Sequence, residues 1–208
     1  MSSRQYSQLV QRFRELRKYF LPVRFDPTGT YPDRIHERAK AFRLLLHAEF
    51  ETYIEDRAVD VALDRFDAYK LSRKVSRCVV SLVAYHERGQ AGSVPTPISG
   101  APVKGRPAPL LLERVESAKN AYVYHVRRQN NGVKEANLLH LLMPLGMESH
   151  EFDLVWLASI DSWATQRGQF AHQSASKIAT RADPKDELRI ARMLLAGFKL
   201  VDAQLDKL

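Results

Sequence analysis

One cysteine, Cys78, stands in 208 residues. An internal disulfide and a cysteine-built zinc site are therefore both excluded. Long apolar runs are missing too; none approaches the length of a membrane span. The first residues, Met1 to Tyr6, lack the apolar stretch of a secretory signal. No Gly-Lys-Ser/Thr run is present to cradle a phosphate, and no His-Glu-x-x-His pair to hold zinc on a helix. No serine sits in a nucleophile elbow, and His140 and His150 are too isolated to argue for a metal. The carboxylates are dispersed among basic residues, so no multi-metal nuclease centre stands out. No segment carries a convincing strand or hairpin signal, and no internal repeat occurs. These absences lead to the expectation of a cytoplasmic protein without cofactor or metal and without membrane attachment.

What is present is helical spacing. Residues 4–20 carry Tyr6, Leu9, Phe13, Leu16 and Phe20 at steps of three and four, one apolar face of a helix. Pro22 ends it, and residues 21–32 form a connector with three prolines and a glycine. Residues 33–88 contain no proline or glycine. That is too long for one ordinary helix, so the spacing predicts a division near Tyr69–Ser72. The second part, from Ser72 to Glu87, turns Val75, Cys78, Val79, Leu82 and Val83 inward, with Cys78 a small core residue. Residues 89–109 crowd nine prolines and glycines into one stretch, the signature of a long flexible loop. Helices follow over 110–129, over 134–142 and from about 150. The last helix begins at Asp183, a good N-cap, with Pro184 in its first position. The expected architecture is all-α: a single domain over 1–208, built as a bundle of six to seven helices.

Hydrophobic residues make up 45% of the chain, enough for a core, and the formal charge is +8. A basic balance of this size favours a polyanionic partner, bound in a salt-dependent way. Arg127 and Arg128 in the middle of the chain, and Lys104 and Arg106 at the tip of the 89–109 loop, are the candidate RNA-binding residues. The loop itself is either a surface insertion or a flap that touches RNA.

Chemistry concentrates in Arg167-Gly-Gln-Phe-Ala-His172. Arginine is a permanently charged fork that matches phosphate oxygens, and histidine is the side chain best suited to move a proton near neutral pH. Five residues apart in an unbroken helix, the two point about 140° away from each other. Gly168 suggests a remedy: one helix ends near Gln166, another starts near Phe170, and the bend unites the pair. Asp161 stands either near that bend or as an exposed acid. Glu49 falls within an apolar stripe with Phe42, Leu46 and Tyr53. A carboxylate there needs a partner, supplied by a structural ion pair or backbone bond, or by Arg167 or His172. His47, further round the helix, reads as surface or interface.

The Arg167–His172 element, with the run Leu157 to His172 before it and the segment Ala41 to Tyr53, resembles the HEPN superfamily. Its members are small all-helical proteins of prokaryotic toxin–antitoxin and antiviral systems. The hallmark is an arginine followed, after four to six residues, by a histidine near the start of a late helix. The resemblance spans residues 33–205 and implies a metal-independent endoribonuclease acting as a homodimer, with both Arg–His pairs facing one cleft. It further implies RNA as substrate and an antitoxin or defence-system protein as partner. Many members carry a polar residue directly after the arginine; Gly168 occupies that place here, leaving Gln166 or Gln169 to substitute. Two other readings stay open: a catalytically inactive helical module that binds RNA or protein, and a DNA-associated regulatory bundle. Nothing in the first helix resembles a helix-turn-helix.

Overall fold

The computed structural model describes residues 2–86, 110–172 and 181–208, with the side chains of 167–172 outside that description. Within these residues the only regular structure is helix, with no strand. Seven α-helices follow in order: α1 Arg4–Phe20, α2 Asp33–Ser72, α3 Arg77–His86, α4 Leu111–Arg128, α5 Glu135–Leu142, α6 Leu154–His172 and α7 Pro184–Leu205. Two short 3₁₀ turns, Met143–Leu145 and Ser149–Glu151, join α5 to α6. No helix among the described residues is long and apolar enough to cross a membrane. The predicted loop over 89–109 lies outside the described residues, and Lys104 and Arg106 with it.

α2 is the axis of the bundle. Its 40 residues span about 60 Å at 1.5 Å per residue, and every other α-helix packs against it. It runs unbroken from Asp33 to Ser72 and stops where Arg73 turns left-handed, at φ 57°. The division predicted near Tyr69–Ser72 falls there. Because neighbours surround it, its buried residues are not confined to one stripe: Phe42, Leu46, Phe50 and Ile54 are buried, and so are Arg43, His47 and Arg57. Val75, expected inside, lies in the connector after Arg73 and is exposed, while Cys78 is fully buried. Burial pushes the Cys78 thiol up to about 12, which keeps it protonated and inert at neutral pH.

Local signals set the helix ends. The Ser3 hydroxyl accepts from the Tyr6 amide at 3.0 Å and starts α1. Asp183 accepts from the amides of Lys185 and Asp186 at 2.8 and 2.9 Å, and Pro184 follows it into α7. The Asp202 carboxylate of α7 then gathers three partners. Arg57 Nε donates to it at 2.9 Å, the Ser3 amide at 2.8 Å and the Tyr53 hydroxyl at 3.3 Å. That cluster pins the start of α1 and the middle of α2 to the end of α7.

The main core centres on Phe198 of α7. Its ring lies 4.8 Å from Phe50, 5.1 Å from Trp156 and 5.5 Å from Tyr53, centroid to centroid. A separate cluster of four buried residues, Phe66, Tyr69, Val79 and Val115, holds the far end of α2 to α3 and α4.

α6 and α7 approach closely because Gly197 has no side chain. A Cβ there would stand 2.1 Å from Cδ1 and Nε1 of Trp156. The indole cannot easily retreat, since its N–H donates to the Leu194 carbonyl at 3.1 Å. Alanine favours a helix over glycine by about 1 kcal/mol, but overpacking costs about 1–3 kcal/mol. Gly197→Ala is expected to lower unfolding free energy by about 1 kcal/mol net, measured by urea denaturation. A variant as stable as the parent would show that α6 shifts freely against α7.

Candidate active site at the end of α6

One face of α2 carries His36, Lys40, Arg43, His47 and Glu51 at steps of four, three, four and four. In a helix these positions fall within about 80° of arc. The stripe runs along the last turns of α6 and the first turn of α7. His36 Nδ1 lies 2.9 Å from the Ala182 carbonyl, just before the cap of α7.

Arg43 is the centre of the stripe. It is 3% exposed and faces Glu187, which is equally buried. Nε and Nη2 of the guanidinium donate to the two carboxylate oxygens at 2.9 and 2.6 Å. Nη1 donates to Gln166 Oε1 at 2.7 Å. The guanidinium carbon also lies 5.9 Å from the centroid of the Trp163 ring, and His47 stacks on that indole at 5.8 Å and 20°. Beyond His47 the chain turns at Gly132, φ 140°, where an added Cβ would meet the imidazole at 3.8 Å. Glu187 sits in the first turn of α7, at the positive end of the helix. Burial still pushes its carboxyl upward, an effect that Arg43 opposes without cancelling.

Arg167 and His172 occupy the final turns of α6, directly after Gln166. The expected break at Gly168 is not there: α6 is continuous from Leu154 to His172. Helical geometry therefore sets the two positions about 140° apart around one axis. The side chains of Arg167, Gln169 and His172 lie outside the described residues. Gln166, a supporting candidate, accepts from Arg43.

Glu49 is not near this site. It is half-buried on the opposite side of α2 and accepts from Arg12 Nε of α1 at 3.0 Å. Its stripe partners Phe42 and Tyr53 meet Phe13 of α1 and Phe198 of α7. Asp161 is also engaged elsewhere, accepting from the Glu135 amide at 3.2 Å and capping the start of α5. His47, read as surface or interface, is buried at the contact of α2 with Trp163 of α6. Arg127 is half-exposed and paired with Asp56 at 2.5 Å, and Arg128 beside it is exposed.

A family model described as RiboL-PSP-HEPN matches residues 7–203. The chain belongs to the RiboL-PSP-HEPN family. The match takes in nearly all of α1 and α7 and every helix between them, so this HEPN protein carries the family pattern through its whole bundle. No curated protein and no solved structure matches the chain.

Sequence reading overlooked Arg43 and Glu187, because a polar stripe on a helix ordinarily faces solvent and nothing local sets this one apart. Removing one partner of such a pair leaves a buried charge without compensation. Glu187→Gln is expected to destabilise the protein by about 3–5 kcal/mol. The double change Arg43→Met with Glu187→Leu should cost far less than the two single changes added together. Thermal and urea unfolding of the four proteins measures the coupling, and simple additivity would contradict it.

Proposed function

We propose that this HEPN protein is a metal-independent endoribonuclease whose reacting groups are Arg167 and His172. The observation that carries the reading is their placement. Both follow Gln166 on a helix end that a buried arginine, Arg43, holds against two other helices. Family membership and the charge of +8 support RNA as the polyanion bound.

In the proposed reaction a ribose 2′-oxygen attacks the adjacent phosphorus and the bond to the 5′-oxygen breaks. The strand is left with a 2′,3′-cyclic phosphate and a free 5′-hydroxyl. One histidine accepts the 2′-hydroxyl proton, a second donates to the leaving 5′-oxygen, and arginine stabilises the charge on the phosphorane-like transition state. A single imidazole cannot do both proton transfers in one step. A twofold dimer, with both Arg167–His172 pairs on one cleft, supplies the second. The biological role that fits is a toxin or antiviral effector restrained by an antitoxin or another defence protein. Arg127, Arg128, Lys104 and Arg106 are proposed to hold the strand by its phosphates, and Gln169 to act beside Gln166.

The unbroken α6 favours a second reading. With positions 167 and 172 about 140° apart on one helix, a single copy has no evident way to bring both to one phosphate. If copies do not pair, an RNA- or protein-binding module without catalysis follows.

Incubation with single-stranded RNA in EDTA separates the two. The nuclease reading expects fragments ending in 2′,3′-cyclic phosphate. It also expects His172→Ala to slow cleavage by about 10²-fold or more with an unchanged far-UV helical signal. Sedimentation should show a dimer at micromolar concentration. RNA that is bound but never cut would establish the binding module instead.

A further inference from the structure

A concavity lies between α3, α4 and α5. It measures about 720 Å³, within the roughly 300–1,000 Å³ of small-molecule sites. Its existence has a local cause. Ala118 and Ala121 of α4 face Ala136 of α5 across it, where a filled bundle would carry leucines. The floor is apolar, made by Leu82, Tyr122, Leu139 and Met143. Tyr122 brings no unmet polar demand to that floor, because its hydroxyl donates to the Leu141 carbonyl at 2.7 Å.

Beside the Tyr85 hydroxyl, the polar part of the wall is imidazole. His86, His125 and His140 come from three different helices, and no carboxylate, lysine or arginine lines the cavity among the described residues. His125 and His140 meet edge to face, centroids 6.2 Å apart. His86 Nε2 pairs with the Ser117 hydroxyl at 3.3 Å and His125 Nδ1 with Gln129 Oε1 at 2.7 Å. Among the described residues, the second nitrogen of His86 and of His125 and both nitrogens of His140 have no hydrogen-bond partner. Sequence separations of 15 to 54 residues hide this grouping from a linear reading. Imidazoles donate hydrogen bonds and gain positive charge on protonation. Three of them over an apolar floor, with no acid present, complement a single negative group attached to an apolar body.

We propose that this cavity binds a small organic carboxylate, its aromatic or aliphatic body on the Leu82–Tyr122–Leu139–Met143 floor and its carboxylate against the three histidines. The site is separate from Arg167 and His172 and does not depend on their role. Calorimetric titration of the full chain with naphthoate and with octanoate tests it, with naphthalenemethanol as the uncharged control. Saturable one-to-one binding of at least one carboxylate is expected, tighter than that of the alcohol. A preference for naphthoate or for octanoate then tells which body the floor accepts. Ala121→Phe, at an exposed position, fills the cavity and should weaken binding by about tenfold or more. Ala136→Leu does the same from the opposite helix and guards against a folding defect in the first variant. His140→Ala should weaken the carboxylate several-fold and leave the alcohol unchanged. The proposal is overturned if neither carboxylate binds saturably, if both cavity-filling variants bind as the parent does, or if the alcohol binds as tightly as naphthoate.

Discussion

The pairing of Arg43 with Glu187 is the interaction on which the candidate site depends. Taking two charges out of water costs several kcal/mol for each ion, and a leucine pair of similar volume would cost nothing of the kind. Two parallel hydrogen bonds to Glu187 and a third to Gln166 satisfy the guanidinium on three sides. The Trp163 ring supports its face. What the arrangement gives in return is geometry. An apolar contact lets helices slide by fractions of a turn, whereas a planar fork accepts a carboxylate in one orientation. Through that fork α2 fixes the register of α6 and the first turn of α7 together.

The Asp202 cluster repeats the device at the other end of α7. There Arg57 of α2 again meets a buried acid, joined by the Ser3 amide and the Tyr53 hydroxyl. α7 is thus anchored to α2 near both ends by arginine–carboxylate contacts, and between them by the Phe198 aromatic group. This leaves little freedom in the frame that carries Gln166 and the residues after it.

Elements governed by short-range physics were readable from the chain. The apolar stripe of α1, the Asp183–Pro184 start of α7 and the end of α2 near Ser72 all lie where spacing and capping put them. What escaped depends on contacts between distant residues. Glu49 and Arg43 are both polar residues on α2, and no local rule says which meets an acceptor on α6 and which meets Arg12 on α1. Gly168 was read as a helix stop because glycine is common there. Yet its cost inside a helix is only about 1 kcal/mol, and the continuing helix absorbs it. The HEPN resemblance was legible because its signature is local: an arginine and a histidine at a set spacing.

α2 is longer than the core that surrounds it. Its Arg43 end is embedded in the large cluster, while in its last turns Phe66 and Tyr69 form a four-residue cluster with Val79 and Val115. Local opening free energy follows the apolar area and buried bonds that must be broken. Amide exchange is therefore expected to be faster in the last turns of α2, around Phe66 and Tyr69, than around Arg43.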